Sequence, residues 1–436
     1  MKLKINKIIF SLPLIILFNG CGSTSENTND INNSILESDN AIDNINVPIA
    51  NNIECIKVPT TDTCIVENTN NSILNNNSTE ENIVSINAPT FEVSKAETLG
   101  RSIYFDSNLS EPRGLSCASC HEPDAGFASP VHTIPVSQGI HIDRFGNRNA
   151  PTAAYASYVP EFHYDSKIGG YVGGLFLDGS AKNLEEQAKG PFLNPLEMAL
   201  PDAKAVVDRV QSSSYVTLFK EVFGEGIFDN TQNAFDKIAQ AVGIYGSTGA
   251  LNRFDSKYDY YLKGEADLKP NERRGLDLFQ NKAKCIHCHT MDNKVEGSHS
   301  VFTNFTYANI GTPANANNPY YSISQEFNPQ GQAYIDLGLG ANVGKAEENG
   351  KFRVPTLRNV AVSSPYMHNG IFNTLEEVLN FYNTIGTGNE PIPEVSENIN
   401  HSELTNLNLS ALEIADIVAF LGTLTDRYKN EGKVAK

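Results

Sequence analysis

The chain has 436 residues, 51 acidic against 33 basic for a formal net charge of −18, with seven Cys, nine His and no Trp. Neutralising phosphates takes a basic face, so this balance excludes nucleic acid and anionic lipid as the main partner. The 40% hydrophobic content supports a buried core, and the length allows two or three domains.

Lys2, Lys4 and Lys7 precede an apolar run over residues 8–18, and Asn19-Gly20-Cys21 follows. This order predicts a secretory signal peptide over residues 1–20, too short to span a bilayer as a mature helix. Cys21 after Gly20 resembles a bacterial lipobox, although Phe18 stands where Leu is usual. The expectation is export to the periplasm with Cys21 acylated, so that the chain meets a membrane only through a lipid anchor. Residues 21–91 read as a disordered tether. Asn supplies 17 of the 70 residues from 21 to 90, and such a stretch buries too little apolar area to offset the entropy of ordering. Cys55 and Cys64 within it are candidates for a small disulfide loop in an oxidising compartment.

From residue 92 onward one pattern occurs twice. Leu99-Gly100-Arg101-Ser102-Ile103-Tyr104-Phe105 precedes Cys117-Ala118-Ser119-Cys120-His121, and Gly275-Leu276-Asp277-Leu278-Phe279 precedes Cys285-Ile286-His287-Cys288-His289. Both preludes place apolar residues at helical spacing, and Pro270 suits a first helical turn. The expected architecture is mainly α, with two tandem cytochrome c-like haem domains at 92–262 and 263–430. The final helix is announced by a capping box, Ser410 to Glu413, before an apolar helical pattern from 414 to 424.

Each C-x-x-C-H reads as a c-type haem attachment site. Two thiols one turn apart add to the two vinyl groups of one porphyrin, and the adjoining imidazole then lies beneath the iron. By composition roughly 0.002 such motifs are expected by chance, against two present. Cys117, Cys120, Cys285 and Cys288 are therefore thioether sulfurs of two covalent haems, with His121 and His289 as proximal ligands. A redox Cys-x-x-Cys has no need of the following His, and zinc usually takes four grouped ligands.

Around these motifs residues 92–428 resemble the bacterial dihaem cytochrome c peroxidases and their MauG branch. The matching stretches include Arg148-Asn149-Ala150-Pro151-Thr152, Leu175-Phe176-Leu177-Asp178-Gly179, Asn194-Pro195-Leu196-Glu197-Met198, Arg353-Val354-Pro355-Thr356-Leu357-Arg358-Asn359 and Pro365-Tyr366-Met367-His368-Asn369-Gly370. The resemblance implies reduction of hydrogen peroxide at the first haem, with electrons from a small donor protein such as a cytochrome passing through the second. The MauG branch implies instead oxidation of a protein substrate at a side chain. A pure dihaem electron carrier is the rival of another class.

The resemblance also implies particular roles. Glu197 matches the acid–base residue of the peroxide pocket and Gln187 its companion; apolar neighbours push a carboxylate pKa upward into a useful range. His141 matches a mobile-loop His that in some members closes the first iron as a distal ligand. Tyr382 falls where the cytochrome-dependent peroxidases have Met and the MauG branch a ligating Tyr as sixth ligand of the second haem. A hard phenolate lowers the iron potential relative to a thioether. Asn149, Ser363 and Pro365 match the oxygen ligands of a calcium ion, and Arg358, His368 and Asn369 are candidate neighbours of the second haem. The family's inter-haem Trp is here Leu177, which accounts for part of the Trp-free composition and removes an aromatic relay.

Overall fold

The computed structural model describes residues 55–57, 64–66, 94–292, 294–297 and 299–429. The expected signal peptide and Cys21 lie outside the described residues, as does nearly all of the expected tether. Within the first 91 residues, β1 (Cys55–Lys57) and β2 (Cys64–Val66) pair antiparallel, Cys55 facing Val66 and Lys57 facing Cys64. The sulfur positions that would decide a disulfide are outside the description.

The remainder is one mainly helical unit. Helix α1 (Lys95–Tyr104) starts at a capping box: the Ser94 hydroxyl accepts from Glu97 N at 3.1 Å, and the Glu97 carboxylate accepts from Ser94 N at 2.8 Å. Its buried stripe, Leu99 and Ile103, is one helical turn apart. The one-turn helix α2 (Cys117–Cys120) carries the first haem motif. A small ribbon follows, β3 (His163–Asp165) and β4 (Gly170–Val172), and then α3 (Leu184–Leu193), α4 (Ala203–Gln211), α5 (Val216–Phe223) and α6 (Thr231–Gly246). The second half has α7 (Lys257–Leu262), α8 (Pro270–Gln280), β5 (Lys294–Glu296) with β6 (His299–Ser300), β7 (Tyr307–Ala308), α9 (Leu339–Val343), β8 (Phe352–Arg353), α10 (Leu375–Thr384) and α11 (Ala411–Gly422). The Ser410–Glu413 capping box forms as the sequence predicts.

The duplication seen in sequence is a duplication of packing. Helix α1 lies against α6, and α8 lies against α11. Both crossings close over a glycine: a Cβ at Gly100 would overlap the carbonyl oxygen of Ala241, and one at Gly275 that of Asp416. Each crossing is sealed by its own core. One gathers Leu99, Ile103, Phe192, Val206, Phe219 and Ile238, the other Tyr258, Phe279, Phe302, Leu379, Ile417 and Phe420. A third cluster draws on both halves, packing Tyr104, Phe127, Tyr155, Tyr245 and Phe254 with Val301 and Phe305. Tyr258 of α7, ahead of residue 263, belongs to the second core. No helix among the described residues is long and apolar enough to cross a membrane.

Candidate haem sites and peroxide pocket

The two C-x-x-C-H motifs adopt tight turns in which the ligand His closes back on the first Cys. His121 N donates to Cys117 O at 3.0 Å and His289 N to Cys285 O at 2.9 Å. All four thiols are free and partly buried. Burial, and then the neighbouring Cys120, push the Cys117 thiol up to about 12, and burial followed by the Glu197 charge brings Cys120 to about 11. Burial likewise takes Cys285 to about 12. Such thiols are protonated at neutral pH and lack the low-pKa thiolate of a redox Cys-x-x-Cys.

Both imidazoles are set in the same way. His121 Nδ1 lies 3.3 Å from Phe127 O, and His289 Nδ1 lies 3.0 Å from Phe302 O. A carbonyl only accepts, so Nδ1 carries the proton and the Nε2 lone pair is left for a metal. Burial holds both rings neutral, lowering His121 and bringing His289 to about 4, against partial opposition from the carbonyls of Phe127 and Pro151 in one case and Phe302 and Pro355 in the other.

Glu197 is delivered to the first site by the way α3 ends. Pro191 lies inside the last turn, so the carbonyl of Gln187, four residues earlier, receives no helical hydrogen bond from it. Asn194 stops the helix, and Glu197 N then donates to Asn194 O at 3.0 Å. The Glu197 charge is felt by Cys117 and Cys120, which places the carboxylate beside the first attachment site. Desolvation raises its pKa to about 7, with an Asn194 hydrogen bond opposing. Gln187 lies partly buried on the same helix, two turns or more before Glu197, and makes no side-chain hydrogen bond to the described residues.

The loop carrying His141 crosses this turn. Gln138 bridges to Phe145, and Ile140 N donates to Glu197 O at 2.9 Å. Gly139 is required, because a Cβ there would overlap the Leu196 carbonyl. His141 thus sits one residue from a backbone contact with Glu197.

Tyr382 projects from α10 into the second core beside Cys285 and Ile286. Burial, and then the Cys285 and Cys288 sulfurs, hold its phenol well above the ordinary range. Its hydroxyl forms no hydrogen bond with the described residues, unlike a structural core Tyr such as Tyr155, which donates to Asp426 at 2.7 Å. Met291 packs in the second core, its sulfur accepting from Gln280 at 3.5 Å.

The calcium candidates also converge. Asn149 N donates to His368 O at 2.7 Å, and Asn149 Nδ2 lies 2.5 Å from Pro365 O, while Asn149 Oδ1 is buried with no partner. A buried, unpartnered amide oxygen is the kind of donor a hard cation takes. Ser363 is two residues from Pro365 in the same turn, and His132 binds the intervening Ser364 carbonyl at 2.8 Å.

Arg358 has partners of its own within the protein. It is fully buried, its guanidinium holding both oxygens of Asp259 at 2.6 and 2.9 Å and Ser300 O at 2.9 Å. His299 completes this network on Asp259 at 2.7 Å. His368 stacks on Phe352 at 3.8 Å and bonds Glu394 at 3.0 Å, and Asn369 Nδ2 donates to Pro313 O, leaving its buried Oδ1 unpartnered. His287 pairs with Glu403 at the surface. The segment at Leu177 is firmly held: Phe176 and Leu177 both adopt positive φ, 64° and 68°. Arg148 donates to Phe176 O at 2.7 Å while pairing with Asp178 and Asp336. Strain of this kind in two consecutive non-glycine residues marks a place whose surroundings over-determine it.

Two C-x-x-C-H sites on paired helix crossings, one with a desolvated carboxylate at hand, define a dihaem c-type oxidoreductase. The comparisons with known proteins agree. A family model described as di-haem cytochrome c peroxidase matches residues 94–267. The methylamine utilization protein MauG of Paracoccus denitrificans is 40% identical, over 76% of this chain and 88% of its own. The cytochrome c551 peroxidase of Nitrosomonas europaea is 30% identical, over 79% and 84%. Among solved structures, the diheme peroxidase BthA from Burkholderia thailandensis aligns with a TM-score of 0.67 at 31% identity, covering 76% of this chain and 86% of that one. The chain belongs to the di-haem cytochrome c peroxidase and MauG family, enzymes acting on peroxide with two c-type haems.

Proposed function

We propose that this chain reduces hydrogen peroxide at the haem held by Cys117, Cys120 and His121, drawing electrons through the haem held by Cys285, Cys288 and His289. The observation that carries this reading is Glu197, a desolvated carboxylate with a pKa near 7 whose charge reaches Cys117 and Cys120. Haem iron supplies the redox centre that takes peroxide's two oxidising equivalents. Glu197 in its ionised form removes a proton from the inner oxygen of H2O2 and returns it to the outer oxygen, which leaves as water once the O–O bond breaks. Gln187 orients the peroxide by its amide. Overall, two electrons and two further protons convert one H2O2 into two H2O.

Tyr382 as sixth ligand of the second haem favours the MauG-like branch, in which the electrons come from a protein side chain. The free phenol beside Cys285 and Cys288 and the 40% identity to a MauG support it. Asn149, Ser363 and Pro365 are the proposed calcium ligands, and His141 the proposed mobile ligand of the first iron. Residues 92–262 and 263–430 are the proposed haem domains. The signal-like residues 1–20 and Cys21 support export to the periplasm with a lipid anchor after a tether.

The test is steady-state oxidation of reduced small cytochromes by peroxide. Two cytochromes oxidised per peroxide supports the electron-donor reading. Slow cytochrome oxidation with rapid peroxide-dependent oxidation of a tyrosine- or tryptophan-bearing protein supports the MauG-like one, and neither sinks both.

A further inference from the structure

Three arginines are largely withdrawn from solvent, and two of them have their counter-charges. Arg148 pairs with Asp336 and Asp178, and Arg358 with Asp259. Arg353 has none. It is 8% exposed, its Nε is buried without a partner, and its one side-chain hydrogen bond among the described residues is a 3.5 Å contact from Nη1 to the Val354 carbonyl. Burial depresses its pKa, and the one charge that opposes this belongs to a phenol, Tyr307, not to a carboxylate. An uncompensated guanidinium in a packed interior is strongly unfavourable, so a position like this implies an anion.

The backbone says where that anion lies. Arg353 sits in β8, opposite Tyr307 in β7. Its N–H donates to Leu177 O at 2.8 Å, the position at which the aromatic relay of related proteins is missing. Two residues further along the chain, Pro355 offers its carbonyl to the His289 ring. Arg353 is thereby tied at once to the inter-haem position and to the proximal ligand of the second haem. The anions each haem brings to such a place are its two propionate carboxylates, and a fork of N–H donors matches a carboxylate bidentately.

We propose that Arg353 forms a buried ion pair with a haem propionate at the boundary between the two haem sites, fixing that haem's edge against Leu177 and raising its reduction potential. A positive charge at the haem edge disfavours the more positive ferric state, so removing it favours oxidation. The inference rests on covalent attachment of both haems, and that premise is checked first: purified holoprotein lacking two haem c per chain would refute the premise and not the ion pair.

The experiment is spectroelectrochemical titration of both haems in the dihaem protein, in R353M and in R353K. Methionine keeps apolar bulk without charge, and lysine keeps the charge. In R353M the ferrous-to-ferric ratio of one haem falls about tenfold at fixed potential, 59 mV for a one-electron couple, and R353K stays within about threefold of the parent. The haem whose bands move identifies whether the first or the second supplies the propionate. If R353M loses a haem that R353K retains, the anchoring role stands. Both potentials unchanged in R353M, an equal shift in R353K, or equal haem loss in both variants overturns the proposal.

Discussion

Replacing Glu197 by Gln keeps the side-chain volume and removes the desolvated carboxylate of the first site. Desolvation against the α3 terminus brings its pKa to about 7, so the ionised fraction is about 9% at pH 6 and about 91% at pH 8. As the proton acceptor, Glu197 works in its ionised form. The second-order rate constant for peroxide should therefore climb about tenfold between these pH values and level off above. In E197Q the rate constant should drop roughly a hundred- to ten-thousandfold, the usual range for loss of a positioned acid–base group, and its pH dependence should flatten. Stopped-flow mixing of holoprotein with peroxide, following the Soret band from pH 5.5 to 8.5, measures both. A variant within threefold of the parent, or a parent profile that falls with pH, would refute the role given to this carboxylate.

Tyr382→Phe removes the free phenol beside Cys285 and Cys288, so the ferric spectrum of the second haem should change while that of the first is preserved; an unchanged spectrum rules out ligation. Gly275→Ala should destabilise the fold by about 1–3 kcal/mol, because the added methyl meets the Asp416 carbonyl rather than a side chain able to move. A melting temperature equal to the parent's would contradict the close crossing of α8 and α11. Leu177→Trp should speed electron transfer between the haems, read by flash photolysis of the half-reduced CO form. An unaltered rate would show that another path already carries the electron.

The local parts of this molecule were legible in its sequence because their physics is local. A C-x-x-C-H is a one-turn constraint, and the Ser410–Glu413 box pairs residues only three apart. Glu197 and Tyr382 needed resemblance to related proteins, since neither sits in a self-sufficient motif. What the sequence concealed depends on partners far along the chain. Arg358 and Arg353 lie in one motif five residues apart, and nothing nearby says that one meets Asp259, 99 residues earlier, while the other meets no carboxylate among the described residues. The reasons for Gly100 and Gly275 were equally hidden, although their recurrence at matching places before the two haem motifs was the available signal. Leu177 could be read as a missing aromatic, but not as part of a left-handed pair held by Arg148 and Arg353.

The central claim, one haem open to peroxide and another serving it, is tested most directly by the absorption spectrum of the ferric holoprotein before and after one equivalent of peroxide, fully oxidised and again half-reduced. The account predicts one high-spin and one low-spin haem, with the high-spin bands changing on peroxide within milliseconds to seconds in at least one of these states. Two low-spin haems that ignore peroxide in both states would contradict it and leave an electron carrier.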